Sequence, residues 1–199
     1  MGSDAIVRRV YAEKKEPYAV WARQLHEQIK TDLHIDTIER VRVFIRYDIS
    51  GVDDVAFEQA KGFVFSEPPV DTCYDDAIDI DDACFVLGIE ALPGQYDQRA
   101  DFAAQCVQIL TCQDMPKVKT AEILAFFGKL KDEEKNRVEA YLINPVERRK
   151  ADLAQVTTLD VKYVTPSDIF TLDGFIHMNA SALSACKDKM GLAMTPDDL

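Results

Sequence analysis

The stretch IERVRVFIRYDISG, residues 38–51, decides how the rest of the chain is read. Val41, Val43, Ile45 and Tyr47 fall on one side of a two-residue period, and Arg40, Arg42, Arg46 and Asp48 fall largely on the other. That alternation predicts a long strand with one face on a core and one toward water, closed by Gly51. A second such strand, KVKTAEILAFFG at residues 117–128, ends at Gly128.

Around each strand the same order of elements recurs. Before the first, VRRVYAEKK (residues 7–15) alternates like a half-exposed strand, and Tyr18, Ala22, Leu25, Ile29 and Leu33 repeat at helical spacing. After it, DDVAFEQAKGFVF reads as a helix, opened by Asp53 and Asp54 at the positive end of the dipole and stopped by Pro68 and Pro69. PVDTCYDD then returns as an extended segment. The second series runs ACFVLGIEAL (strand), a helix face of Phe102, Cys106, Ile109 and Leu110, the strand at 117–128, the helix DEEKNRVEAYLI, and NPVERR, which echoes PPVDTC. Pro69-Val70 matches Pro145-Val146 at an offset of 76, Gly51 matches Gly128 at 77, and Gln28-Ile29 matches Gln108-Ile109 at 80.

The expected fold is therefore α+β. Two repeated strand-helix-strand-helix-strand units, residues 1–76 and 77–150, each form an antiparallel sheet with helices on one face, and the two pack as a pseudo-dimer. Chance recurrence of a common pattern is the alternative. Residues 151–199 read as a mainly helical linker region. TPSDIF and MNASALSACKDKMG are short helices capped by Thr165 or Asn179, with Pro166 at a first helical position and Gly191 as a stop. TPDDL opens a further helix at Thr195 and Pro196, as a truncated longer polypeptide would; a frayed natural terminus is the alternative.

Composition bounds the function. With 199 residues, 47% of them apolar, the chain sustains a buried core, and it contains neither a run long enough to span a membrane nor a secretory signal, so a cytoplasmic location is expected. Cys73, Cys84, Cys106, Cys112 and Cys186 are odd in number and mostly set among apolar neighbours, which predicts reduced thiols and no disulfide framework. A net charge of −12 argues against nucleic acid as partner, and no membrane partner is expected. DTCYDDAIDIDD places six aspartates in twelve residues, but no register supplies the glycine and terminal glutamate of a calcium loop, so it reads as a solvated linker.

Chemistry-bearing patterns are sparse. The eight glycines are scattered singly, which excludes a phosphate-cradling loop, and His26, His34 and His177 are isolated, so no metal site is expected. Cys106 reads as a core residue of its helix rather than a nucleophile. The candidate site is ALPGQYDQRADFAAQC, residues 91–106, which concentrates Gln95, Asp97, Gln98, Arg99 and Asp101 at a Pro-Gly turn and a helix start. Asp97 suits the cap of a helix beginning at Gln98. Arg99 faces the wrong pole of the macrodipole unless an anion meets it, either Asp101 or Glu90 within the chain or a group on another domain or ligand.

VFSEPPVD (64–71), LPGQYDQRAD (92–101), QCVQIL (105–110), INPVE (143–147), and LDGF (172–175) with GLAM (191–194) together resemble the N-terminal portion of the large, single-chain phosphoribosylformylglycinamidine synthases. These are glutamine-dependent amidotransferases of purine biosynthesis, and the resemblance runs over residues 7–199. It implies two copies of a fold like the small subunit of the three-subunit enzyme, then a mostly helical linker, with an ATP-dependent synthetase domain and a glutaminase beyond. It implies no catalytic residue and no cofactor in this chain; ATP and magnesium belong to the full-length enzyme. The implied partners are the synthetase and glutaminase domains of the same polypeptide, held so that ammonia passes between them out of water. Residues 94–101 then correspond to a non-catalytic region that organises contacts between domains. Lys131 and Lys135 depart from the family pattern, where a capping hydroxyl and an apolar residue are expected, which implies a looser fourth helix. The rival reading is a free-standing module that dimerises or binds a small anion. An enzyme complete in itself lacks any constellation of acid, base and nucleophile.

Overall fold

The computed structural model describes residues 6–160 and 171–199; the helix read from TPSDIF lies outside them. At the centre, β2 (Ile38–Ser50) and β5 (Lys117–Gly128) pair antiparallel from Ile38↔Gly128 to Ser50↔Lys117, with one irregularity between Ile38 and Arg40. β1 (Val7–Lys14) flanks β2 and β4 (Phe85–Ala91) flanks β5, while β3 (Asp71–Asp75) and β6 (Arg148–Lys150) form the edges. The protein is α+β, with a six-stranded antiparallel sheet in the order β3-β1-β2-β5-β4-β6. Gly128 has φ +121°, and a Cβ there would stand 2.4 Å from the Thr37 carbonyl oxygen, so the end of β5 admits only glycine.

Helices cover one face in two groups. α1 (Val20–Leu33) and α4 (Asp132–Leu142) bring Leu25, Ile29 and Val138 onto Val41, Leu87, Leu124 and Phe126. α2 (Asp54–Ala60), extended by a π-helical turn at Lys61–Phe65, and α3 (Gln98–Thr111) bring Phe57, Phe65, Ala103 and Val107 onto Val10, Tyr47 and Ile49. Asp53 caps α2, its carboxylate accepting from the Ala56 N–H at 2.8 Å. α4 has Lys131 at its N-cap. An ammonium has no acceptor, so the one capping bond runs from the Lys131 N–H to Glu134 at 2.8 Å, and Lys135 pairs with Asp132.

Two expectations need correction. The predicted face of α3, Phe102, Cys106, Ile109 and Leu110, points outward, with Phe102 at 55% exposure and Ile109 at 76%; the buried face is Ala100, Ala103, Ala104 and Val107. Phe57, Phe65 and Tyr47 already fill the volume beneath the helix, so small side chains fit the contact and large ones do not. Cys106 is consequently an exposed residue and not a core one; Cys112 is exposed as well, and Cys73, Cys84 and Cys186 are partly buried.

The second correction concerns the sheet face expected to meet water. There Phe44, Tyr11, Ile123 and Phe127 form a further buried cluster, over which Ile78, Ile80 and Ala83 of the aspartate-rich segment pack, so that segment is not a wholly solvated linker. The rest of this face is covered by the stretch after β6. Arg9 and Asp48, each 2% exposed, form a forked pair with Nε to Oδ1 at 2.5 Å and Nη2 to Oδ2 at 3.2 Å. Arg9 donates onward to the carbonyls of Leu153 (3.0 Å) and Ala154 (3.1 Å), and Arg46 to that of Asp152 (2.6 Å). Burial works to lower the Arg9 guanidinium pKa, but the hydrogen-bonded Asp48 outweighs it and the net shift is upward. Ala151 N–H bonds to Gly88 O at 2.8 Å, and a Cβ at Gly88 would meet Leu153 at 3.0 Å. The charged residues of β1 and β2 thus hold a backbone strap onto the sheet.

Met1–Asp160 forms one compact unit and Val161–Leu199 a second; the expected boundaries at 76/77 and 150/151 fall inside the first. The second contains α5 (Ala180–Met190), capped by Asn179, which accepts from the Ala182 N–H, and ended by Gly191 at φ +64°, then a turn at Pro196–Asp198 after Thr195. No helix among the described residues is long and apolar enough to cross a membrane.

Asp48→Ala strands two buried guanidinium groups and is expected to cost about 3–5 kcal/mol in urea unfolding, the scale of a broken buried ion pair. Asp54→Ala, which removes the solvent-exposed partner of Arg8, is expected to cost at most about 1 kcal/mol. Equal effects of the two would refute the strap's role.

Candidate functional site

Between the two helix groups a groove crosses the helix-bearing face of the sheet. It consists of two adjoining cavities of about 670 and 800 Å³ that share Ile45, Arg99 and Glu122. Ile45 and Glu122 face each other across the β2/β5 ladder and form the floor. Trp21 of α1 and Phe65 of the π-helical turn line one cavity, and Tyr96 and Phe102 line the other.

The start of α3 sets one wall. Leu92 to Gln95 closes a turn, with Gln95 N–H to Leu92 O at 3.0 Å, and Gly94 takes the φ of +89° that a Pro-Gly turn requires. Asp97 then caps α3. Its Oδ1 accepts from the Ala100 N–H at 3.0 Å, while Oδ2 accepts from the Thr120 hydroxyl at 2.8 Å and Thr120 N–H at 3.3 Å. One carboxylate thereby satisfies a helix end and pins that end to β5, which fixes the rotation of the helix.

The groove brings together Gln95, Asp97, Gln98 and Arg99 of the sequence-predicted set; Asp101 is not among its lining residues. Asp101 accepts from the Tyr96 hydroxyl and from Gln105, each at 2.7 Å. Gln95 reaches the Val146 carbonyl at 3.4 Å, and Gln98 is exposed at the first helical position. Arg99 is exposed and takes part in none of the ion pairs among the described residues. Neither suggested partner meets it, since Glu90 pairs with Arg149 at 2.6 Å and Asp101 holds Tyr96. It shares the wall of one cavity with Tyr47 and acts on that phenol instead. Burial pushes the Tyr47 phenol up, and the Arg99 guanidinium pulls the other way.

Tyr47 and Glu122 are the groove residues that sequence reasoning missed. By sequence Tyr47 reads only as an apolar strand position. For Glu122 a signal existed: Val118, Thr120, Glu122, Leu124 and Phe126 alternate on one face of β5, and a carboxylate in the middle of an inward face marks a place where helices leave the sheet uncovered. Arg148 reaches Glu122 at 3.2 Å from β6. His26 lies outside this set, its Nε2 2.9 Å from the Ile38 carbonyl oxygen, where it ties α1 to β2. Among the described residues no group of three or more His, Cys, Asp or Glu side chains is placed to hold a metal ion. A guanidinium, a phenol, two carboxamides and an ion-paired carboxylate are groups that recognise and orient. No protein-family model matches the chain, and no curated protein matches it.

Asp97→Ala removes the cap and the β5 anchor together and is expected to destabilise by about 1–2 kcal/mol. Arg99→Ala, at an exposed position, is expected to stay within about 0.5 kcal/mol in the same thermal or urea unfolding. The Tyr47 ring reports on Arg99 directly. Burial raises its folded pKa above the ordinary 10.0, so its contribution to stability is fully present below that value and is lost as pH rises through the folded pKa. Removing Arg99 takes away the opposing influence, and an NMR titration of the Tyr47 ring is expected to show a further upward shift. A downward shift would contradict the assigned contact.

Proposed function

We propose that this chain is the N-terminal scaffold and linker part of a phosphoribosylformylglycinamidine synthase, the ATP- and glutamine-dependent enzyme that converts formylglycinamide ribonucleotide to formylglycinamidine ribonucleotide. In this reading the chain does no chemistry. It holds the glutaminase and synthetase domains in the relation that ammonia transfer requires, and ATP and magnesium act in those domains.

The observation that carries the reading is the matched spacing of the two halves. α1 and α3 have the same length, begin and end 78 residues apart, and bury corresponding positions, Ala22, Leu25 and Ile29 in the one and Ala100, Ala103 and Val107 in the other. Both end in a left-handed residue, His34 at φ 53° and Cys112 at φ 54°. The N-caps of α2 and α4, Asp53 and Lys131, are also 78 apart, while Gly51 and Gly128 are separated by 77. The drop from 78 to 77 coincides with the irregularity of β2 between Ile38 and Arg40, and one more residue between Gly128 and Lys131 than between Gly51 and Asp53 restores it. An offset of 77 also makes Ile45 the counterpart of Glu122, its own ladder partner, as a two-fold relation through the sheet centre demands. This supports two small-subunit-like units joined as a pseudo-dimer through β2 and β5. It replaces the sequence match of Ile29 with Ile109, because Ile29 is fully buried and Ile109 is largely exposed.

Gln95, Gln98 and Arg99 on the rim of the groove offer donors to another domain, which suits a polar contact surface. The test is reconstitution. This chain, mixed with the synthetase–glutaminase portion of the same organism's synthase lacking its own N-terminal region, is expected to restore glutamine-dependent amidine formation. Alone it is expected to show neither ATP hydrolysis nor glutaminase activity. Turnover by the chain alone, or failure to restore activity, would overturn the reading.

A further inference from the structure

The only tryptophan of the chain stands half in water. Trp21, in the first turn of α1, is 44% exposed and Tyr18 just before it 51%, and both line the larger cavity of the groove. Beneath them the middle of the central strand is also incompletely covered. Val43 and Ile45 are partly exposed on the helix-bearing face, and the rings of Tyr47 and Phe65, 5.1 Å apart, stand beside them as a wall. Large aromatic rings gain the most from burial, so an exposed tryptophan over a concave apolar floor is a surface shaped for contact. The volume of about 800 Å³ falls within the roughly 300–1,000 Å³ of sites for small ligands.

The charges around this cavity are unbalanced in the opposite sense to the chain, where acidic residues outnumber basic ones by 35 to 23. Three of its cations, Lys15, Arg23 and Arg99, take part in none of the ion pairs among the described residues. Lys15 Nζ donates to the Pro68 carbonyl and Arg23 Nη1 to the Glu16 carbonyl, each at 2.6 Å, contacts that fix both beside the turn between β1 and α1 without neutralising them. Of the carboxylates that line the same cavity, Glu13, Asp71 and Glu122 each hold a cation of their own in Arg42, Lys14 and Arg148, and Glu16 is unpaired. Asp97 and Asp101 flank Arg99 but do not line this cavity, Asp97 facing Thr120 and Asp101 facing Tyr96 and Gln105. Even without Arg99, two unpaired cations stand against one unpaired carboxylate.

We infer that the larger cavity binds a small amphipathic carboxylate: its apolar body lies on Val43, Ile45, Phe65 and Trp21, and its carboxylate is met at the rim by Lys15 and Arg23. Apolar contact accounts for the aromatic wall and charge-assisted hydrogen bonding for the unpaired cations, and neither ligand half alone accounts for both. No glycine is among the lining residues, so a polyphosphate finds no backbone nest, and the small excess of positive charge suits a monoanion. The inference rests on the cavity and not on the synthase reading, so a failed reconstitution leaves it standing.

Dodecanoate below its micellar range is the probe, and Trp21 is the reporter, since the chain has no second tryptophan. A saturable change in its fluorescence is expected, with a dissociation constant of about 10–100 μM and matching calorimetry. Dodecylamine, the same body with the opposite charge, is expected to bind at least about tenfold more weakly, although non-specific adsorption to a chain of net charge −12 favours it. Hexanoate should bind about tenfold more weakly or worse, for want of apolar contact, and inorganic phosphate should leave Trp21 unchanged. Replacing both rim cations, Lys15→Gln with Arg23→Gln, is expected to weaken dodecanoate by about tenfold. Lys131→Gln, the same loss of charge at the N-cap of α4, should not. The comparison of ligands needs no variant, so it decides even where a substitution disturbs the fold. A Trp21 indifferent to dodecanoate, an amine that binds as tightly as the carboxylate, a response to phosphate, or a folded double variant of unchanged affinity would overturn the proposal.

Discussion

The pairing of β2 with β5 is the constraint on which the rest of the structure depends. Its register, Arg40↔Phe127 to Ser50↔Lys117, gives the sheet two buried faces at once. Val41, Val43, Ile45, Tyr47 and Ile49 join Val118, Leu124 and Phe126 under the helices, while Phe44 joins Ala121, Ile123 and Phe127 on the opposite side. A slip of one residue would exchange these faces and carry Arg46 and Asp48 beneath the helices. Because β1 and β4 add to the outer edges of this pair, each helix group sits over one half of the sheet, and the strip between them is left open as the groove.

The second face shows how charge can serve a fold rather than solubility. Arg9, Arg46 and Asp48 are buried together, and the carbonyls of residues 152–154 take the donors that Asp48 leaves over. Such an arrangement adds little net stability beside an apolar alternative, but it dictates where the strap lies, since backbone carbonyls must meet guanidinium forks in their plane. Gly88 completes the fit by letting Ala151 and Leu153 approach the sheet.

Much of this was legible in the sequence because it is local. The strands follow from two-residue alternation, Asp53 and Asp97 from capping, and Gly51 and Gly128 from the chain turning at strand ends. What was not legible depends on partners distant in sequence. The rotation of α3 is set by Thr120, a residue of β5, and by aromatic bulk from α2 and β2, so its apolar periodicity pointed to the wrong face. The buried arginines read as a solvent face because nothing near them in sequence reveals that residues 152–154 return to meet them. Of the candidate site, the residues at the start of α3 were found and their partners were not. Tyr47 and Glu122 come from two other strands, and only the register brings them to Arg99.

In the proposed role as a scaffold, rigidity is the property that matters, and the central ladder supplies it by joining the β1 side and the β4 side of the sheet into one body. Native-state hydrogen exchange tests this most directly. If the β2/β5 ladder is the keystone, the inward amides of both strands exchange only through global unfolding, and the amides of β1 and β4 follow with the same denaturant dependence. An opening in which β4 and β5 exchange together while β1 and β2 stay protected would show two halves that fold separately, and would contradict the account.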